Sequence, residues 1–387
     1  MSSEHHEFSD DAAWRHGEFS GTAVVDGALR LGSPAGVQDG GEYAWWTSPE
    51  HELPFEAVEF LPSWNATAPP GTWLAVEVRA RTTGDRNTAW FSLGRWSHDE
   101  STVRRTSVPG QADEFARVAV DRVTAVGPAR FRAYQVRVTL CRAEGTRASP
   151  ALSAVGVTAS AAGPDSDVPS APGPARGIEL PVPRHAQMIH SGHFSEFGGG
   201  GAHWCAPACT EMVVEYWGVG PAAADLDWIT SERPGRGVVY AARHTFDHAY
   251  DGTGNWAFNV AYASRYGLRG RVTRLPSLTE AEHHVAAGVP VVVSLSFAEG
   301  ELDGADYGSA GHLMVITGFT PTGDVVVNDP ATADPALVRR IYPRAQFEAV
   351  WLRGRASTAP EAPAAPGGVC YLIAAPRSGA TVRAFPD

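Results

Sequence analysis

The chain has 387 residues, and 43 acidic side chains against 31 basic ones give it a formal charge of −12. This length corresponds to two or three ordinary domains, and 41 glycines and 29 prolines with only 19% charged residues are typical of a folded, turn-rich protein. The acidic balance provides no field that gathers phosphates, so we predict no nucleic-acid partner. Every basic residue is arginine, which excludes lysine-dependent chemistry such as a Gly-Lys phosphate loop, a Schiff base or a Ser-Lys dyad.

Targeting and redox features are sparse in the sequence as written. The first 21 residues carry acidic and histidine side chains where a secretion signal has a basic start and an apolar stretch. The longest apolar run, around residues 289–295, is about ten residues with its flanks and is too short to cross a bilayer. We therefore expect a cytoplasmic chain with no membrane span, while secretion or surface attachment stays open. The four cysteines show no paired framework and are expected to be free thiols.

Residues 1–160 are predicted to form an accessory β-domain. Short runs such as 73–81 and 134–141 alternate apolar and polar residues and are separated by Gly, Pro and Asp turns. Strands at intervals of roughly ten residues, with no convincing helix between them, favour an antiparallel, jelly-roll-like β-sandwich.

Residues 161–178 are rich in Pro, Ala and Gly and are predicted to be a linker. The sequence pattern then changes from period-two alternation to helical spacing of apolar residues. Residues 179–387 are therefore predicted to form an α+β domain with helices first and a sheet later. The predicted helices cover residues 205–217, 255–266 and 278–287. The predicted strands cover residues 289–297, 312–319, 325–328 and 368–374, the last closing the sheet. The stretch 254–259 is interpreted as a helix cap and core rather than part of a pocket.

Cys205 is the first candidate for chemistry. It directly precedes a predicted helix whose early turn holds Pro207, a residue tolerated only where no intrahelical N–H is lost. A thiol at a helix N-terminus faces unsatisfied N–H groups and the positive end of the dipole, which favour the nucleophilic thiolate. The alternatives are a buried capping residue and a soft-metal site with His203 and Cys209. No fourth ligand is indicated, so we predict no metal and no cofactor.

His312 and Asp329 lie on a predicted hairpin. The strand that starts at His312 runs to a turn near Thr322, and the return strand ends at Asp329. Both side chains therefore fall at the open end, where a carboxylate can orient an imidazole. A nucleophile, a histidine and an acid are the three parts that activate a thiol for acyl transfer. A structural pair at the sheet edge is the alternative.

These three motifs resemble papain-like cysteine peptidases, in particular the bacterial peptidase C39 family that processes double-glycine leaders. The Trp-Cys-x-Pro pattern at Cys205, the Gly-His at His312 and the Asn-Asp-Pro at Asp329 occur in the family's order, over about residues 180–374. The resemblance implies a papain-like fold, with Cys205 as nucleophile, His312 as general base and acid, and Asp329 as the residue that orients the imidazole.

The sequence departs from the family upstream of the nucleophile. Family members carry a Gln about six residues before the Cys, whereas position 199 is Gly and the nearest candidate is Gln187. We assign Gln187 as the side-chain donor of the oxyanion hole, beside the backbone N–H of Cys205. The alternative is an ordinary polar residue on an entering strand. Residues 189–201 form an insertion that we interpret as a rim over the cleft.

Three functions fit this set of residues. The first is a cysteine peptidase that acts on a peptide or protein, and the second is a transpeptidase or amidase that uses the same Cys-His-Asp triad. The third is an inactive papain-like scaffold whose sandwich binds carbohydrate or protein. A glycan or cell-wall partner for the sandwich would use exposed tryptophans, for which the candidates are Trp45, Trp46, Trp64, Trp90 and Trp96. The chain shows no transporter module, so it does not resemble a leader-peptide exporter.

Overall fold

The computed structural model describes residues 2–38, 40–162, 168–230, 232–353 and 367–376. Within them, the N-terminal part is a large β-domain whose thirteen strands join in one branched hydrogen-bonded network. The strands are β1 (Ser3–Phe8), β2 (Glu18–Ser20), β3 (Thr22–Val25), β4 (Ala28–Leu31), β5 (Gly36–Gln38), β6 (Gly41–Thr47), β7 (His51–Thr67), β8 (Thr72–Thr82), β9 (Phe91–Trp96), β10 (Ala116–Ala119), β11 (Arg122–Ala125), β12 (Phe131–Ala143) and β13 (Ala151–Ala161). A short helix, α1 (Asp11–Arg15), follows β1.

The period-two pattern produces strands that bury one face. In β8, Leu74, Val76 and Val78 are buried whereas Glu77 and Arg79 are partly exposed. The long strand β12 pairs with β6, β7 and β8, and the pairings between the named strands of this network are antiparallel. The prediction of a helix-poor, β-rich domain in this half of the chain is confirmed.

The tryptophans of this domain are mostly core residues, so few of the five candidates are available as stacking faces. Three of the five candidates have no exposed surface: Trp46, Trp64 and Trp96. Trp45 and Trp90 are partly exposed, and the guanidinium of Arg137 lies over both rings. Large apolar side chains on the inner face of a strand are buried in the core. Burial of an indole is especially favourable, because it removes a large apolar surface from water.

The C-terminal part is an α+β region, as predicted. Its six-stranded antiparallel sheet has the order β14-β19-β15-β16-β17-β18. The strands are β14 (Arg269–Arg274), β15 (Val291–Phe297), β16 (Ser309–Phe319), β17 (Val325–Asn328), β18 (Arg339–Tyr342) and β19 (Val369–Ala374). The helices are α2 (Cys205–Tyr216), α3 (Arg236–Thr245), α4 (Trp256–Ser264), α5 (Leu278–Ala286) and α6 (Arg344–Leu352).

The last strand does not close the sheet. β19 lies between β14 and β15, and all six of its residues are buried. An apolar run that is buried on both faces belongs in the interior of a sheet, which explains why the expectation of an edge position is wrong. The sequence prediction also omits β14, which occupies the edge beside it.

The second half of the predicted linker is bound to the C-terminal region. The backbone N–H groups of Gly173 and Ala175 donate to the buried carboxylate of Glu282, and the guanidinium of Arg344 donates to the carbonyl of Ser170. Residues 163–167 lie outside the described part of the chain.

The two halves share a polar interface between β7 and β14. The Asn65 amide exchanges two hydrogen bonds with the backbone of Gly270, of 2.8 Å and 2.7 Å. Glu59 forms an ion pair with Arg274, and each side chain is only 1% exposed. Hydrogen bonds from a side-chain amide to the backbone and a desolvated charge pair hold the two sheets in one relative position. Among the described residues, no helix has the length and apolar character needed to span a membrane.

Candidate active site

Cys205 begins α2 and is half-buried. Trp204 precedes it with no exposed surface, and its indole N–H donates to the carbonyl of Phe197 at 2.6 Å. Pro207 is the third residue of the helix, where the missing N–H would have had no intrahelical acceptor. Backbone hydrogen bonds from Ala206 and Leu313 to the Cys205 sulfur favour its thiolate form.

His312 lies on β16 and Asp329 directly follows the neighbouring strand β17, where the hairpin pattern places them. His312 Nε2 is 2.9 Å from Asp329 Oδ1, and the two residues are 4% and 0% exposed. The other ring nitrogen, Nδ1, has no bond to Asp329, and the Cys205 thiol lies close enough to His312 for each group to shift the pKa of the other. The structure brings these three predicted site residues together in one row.

Two tyrosines that the sequence analysis omitted complete the surroundings of Asp329. The hydroxyl groups of Tyr307 and Tyr342 donate to Oδ2 at 2.9 Å and 2.8 Å, and the N–H of Ala331 donates to Oδ1 at 3.0 Å. The guanidinium of Arg340 lies 3.7 Å from Oδ2. Tyr342 pairs in register with Val325, so only knowledge of the strand order could have located it.

The three groups shift one another's protonation. Burial alone would raise the pKa of the Cys205 thiol, but the hydrogen bond and charge of His312 outweigh burial, and the pKa lies below its usual value. Burial opposes the imidazolium as well, yet the bonds to Asp329 and Cys205 raise the pKa of His312 to about 10. Although burial opposes its ionisation, Asp329 has a pKa of about 2 because it bonds to His312. At a pH above the pKa of Cys205 and below that of His312, the thiolate and the imidazolium coexist.

Gln187 lies in a short 3-10 helix, Gln187–His190, and lines the same cleft as Cys205. It is 3% exposed, and its Nε2 donates at 3.0 Å to the carbonyls of both Gly201 and Ala202. Both amide hydrogens therefore hold the turn that leads into Cys205. Its Oε1 has no hydrogen-bond partner among the described residues.

A cleft of about 790 Å³ opens at Cys205 and His312. Gly198 and Gly199 line it, so part of the insertion 189–201 borders the cleft. Trp256 and Gly254 line it too, which corrects the interpretation of 254–259 as cap and core alone. The cap itself is present, since the Asn255 side chain accepts from the N–H of Phe258.

The other cysteines of the C-terminal region have different surroundings. Cys209 is fully buried one turn along α2, and its thiol donates to the carbonyl of Leu313 at 3.3 Å. Burial raises the pKa of Cys209 and raises that of Cys370 to about 12. Cys205 is therefore the thiol in this region that the surroundings activate. In the described ranges, no three His, Cys, Asp or Glu side chains are grouped to hold a metal.

Comparisons with known proteins identify the two halves separately. Residues 4–160 match the family model described as the Peptidase C39 N-terminal domain, and residues 179–358 match that of the Peptidase C39 like family. No curated protein matches the chain. One solved structure, described as TmCBM61 in complex with beta-1,4-galactotriose, is similar over 39% of this chain and 86% of that chain. Its identity is 11% and its TM-score is 0.17, so this likeness carries no argument.

The two matched segments meet at the predicted linker, residues 161–178, where the sequence pattern changes from β-rich to α+β. The resemblance inferred from the three motifs is confirmed, and residues 179–358 form a domain of the peptidase C39-like family.

Proposed function

We propose that the protein is a cysteine peptidase of papain-like fold that cleaves peptide bonds through a thioester on Cys205. The observation that carries this proposal is the contiguous row of Cys205, His312 and Asp329, in which the pKa of the thiol is lowered and that of the imidazole is raised. A thiolate paired with an imidazolium is the reactive form of such a nucleophile.

The proposed reaction has two steps, acylation of Cys205 and hydrolysis of the resulting thioester. The Cys205 sulfur attacks the scissile carbonyl carbon, and His312 passes its proton to the leaving amine as the C–N bond breaks. Water then attacks the thioester, His312 takes up one of its protons, and the acid is released with the thiolate restored. Asp329 stays ionised throughout and orients the ring, while Tyr307 and Tyr342 hold its second oxygen.

The oxyanion of the tetrahedral intermediate would be bound at the start of α2. The backbone N–H of Cys205 is the first donor, and Gln187 is the proposed second one. In its present position Gln187 uses both N–H groups on the carbonyls of Gly201 and Ala202. Donation to an oxyanion requires one of these two bonds to be exchanged when substrate binds.

A peptide or protein is the proposed substrate. A glycan or cell-wall partner for the N-terminal domain is a weaker proposal, since Trp46, Trp64 and Trp96 are buried and cannot stack on a sugar. The transpeptidase or amidase alternative differs only in what attacks the thioester, so an added amine distinguishes it.

The experiment is labelling with iodoacetamide at pH 6 followed by peptide mapping. We expect Cys205 to react much faster than Cys141 or Cys370, and Cys205→Ser to abolish hydrolysis of a casein substrate. Cys209→Ser is the matched control on the same helix and should retain turnover. Equal, slow labelling of all four cysteines would contradict the proposal and favour the inactive scaffold. Transfer of acyl groups to added glycinamide would assign the transferase alternative.

A further inference from the structure

The cleft at Cys205 is built by both halves of the chain. Besides the residues of the C-terminal region, it is lined by residues 119–122, the tip of the β10–β11 hairpin of the N-terminal domain. Eight of its lining residues are Gly or Ala, so much of the surface that faces the cleft is backbone. Such a surface fits an extended polypeptide, which offers backbone donors and acceptors of its own.

The hairpin tip has a strained conformation. The N–H of Asp121 donates to the carbonyl of Ala119 at 2.8 Å, which closes a three-residue γ-turn around Val120. Val120 has φ = 58°, a region that a β-branched residue rarely adopts. Val120 nevertheless lines the cleft. A strained residue at a site wall is one that the surrounding structure holds in place.

The tip is anchored to the opposite half of the molecule. Asp121 is 8% exposed, and its Oδ2 accepts the N–H of Trp256, the first residue of α4, at 2.6 Å. Trp256 also lines the cleft. The anchor therefore fixes a loop of one domain against the helix that borders the cleft of the other.

We propose that residues 119–122 of the N-terminal domain are a substrate-binding element of the peptidase, so that a polypeptide substrate lies between the two domains. The inference rests on the proposed function, because it names a further part of the same site. Val120 contacts the bound chain, and Asp121 is a positioning residue that holds the tip in place.

The experiment uses the full chain and two reagents with the same reactive group. One is the plain diamide of epoxysuccinic acid, and the other carries a trialanyl arm on each carbonyl, so that it extends along the cleft in both directions. Both reagents alkylate an activated thiol, but only the second has arms that bind to the cleft walls, so only its labelling rate depends on those walls. In the wild type we expect the armed reagent to label Cys205 at least tenfold faster.

Val120→Gly removes the side chain and the strain while keeping the turn. We expect the ratio of the two labelling rates to fall at least fivefold with no loss in Tm. Asp121→Ala, which frees the tip, should lower the ratio at least tenfold. The matched control is Asp26→Gly, a change at another hairpin residue with positive φ (51°) outside the cleft, which should leave the ratio unchanged.

The outcomes separate the two proposals. Slow labelling of wild-type Cys205 by iodoacetamide would overturn the peptidase proposal itself. Fast labelling with an unchanged ratio in Val120→Gly would overturn the hairpin inference alone, as would a wild type that does not prefer the armed reagent. An equal loss of both rates in Val120→Gly would mean that the hairpin acts on the triad, and would also refute a binding role. If Asp121→Ala does not fold, the ratio of labelling rates in Val120→Gly alone tests the hairpin inference.

Discussion

Replacement of His312 by Ala tests the ion pair at the centre of the site. In the wild type, His312 lowers the pKa of the Cys205 thiol, and burial is the opposing effect. Without the imidazolium only burial and the backbone donors remain, so the pKa should rise at least to the ordinary value near 8.5. At pH 6 a thiol with that pKa is about 0.3% thiolate.

The expected rate difference follows from that fraction. A fully ionised wild-type Cys205 would have up to ~300-fold more thiolate at pH 6, and the weaker nucleophilicity of a less basic thiolate reduces this to tens of fold. Above the lowered pKa of Cys205, the wild-type rate should be nearly flat up to about pH 10, where His312 loses its proton. The His312→Ala rate should rise about tenfold per pH unit and approach the wild-type curve above pH ~9.

The assay is the second-order rate of iodoacetamide labelling from pH 5 to 10, read by mass mapping of the peptide that contains Cys205. Cys209→Ser is the control, because its buried thiol takes no part in the pair. A His312→Ala variant that reacts at the wild-type rate at pH 6 would refute the ion pair.

Four further predictions concern stability and orientation. Asp329→Asn should reduce labelling at pH 6 only a few fold, because the amide can still accept from His312 and the tyrosine hydroxyls can turn to accept from it; a loss as large as that of His312→Ala would contradict this. The low pKa of Asp329, about 2, contributes stability above pH ~4 that is lost as pH falls toward 2, and urea titrations should show this loss in the wild type but not in the Asn variant. Burial raises the pKa of Glu211 to about 7, so its ionisation should cost about 3 kcal/mol above that pH, and Glu211→Gln should raise the free energy of unfolding at pH 8 but not at pH 4; equal effects at both values would reject the titration. Arg274→Ala leaves the buried Glu59 carboxylate paired with the more exposed Arg122. The free energy of unfolding should fall by about 3–5 kcal/mol. A fall below about 1 kcal/mol would show that the pair of Glu59 and Arg274 is not desolvated.

Local signals in the sequence were sufficient for three of the residues at the site. Pro207 and the apolar spacing after it mark the start of a helix at Cys205, and both features lie within a few residues of each other. The short turn between β16 and β17 sets the register that brings His312 beside Asp329. The alternation of the first 160 residues likewise predicted a β-domain, because period two reports directly which face of a strand is buried.

Other features depended on how distant segments pack. Tyr342 reaches Asp329 because β18 lies beside β17, and Asp121 reaches Trp256 because the two domains share an interface. The burial of Trp64 and the interior position of β19 are also consequences of packing. Periodicity tells which residues are apolar on one face, but it does not tell which neighbour covers that face. The sequence by itself predicted the row of Cys205, His312 and Asp329 and the two fold classes. The tertiary structure decided which segments wall the cleft, since the hairpin at residues 119–122 reaches it through a contact between Asp121 and Trp256, 135 positions away in the chain.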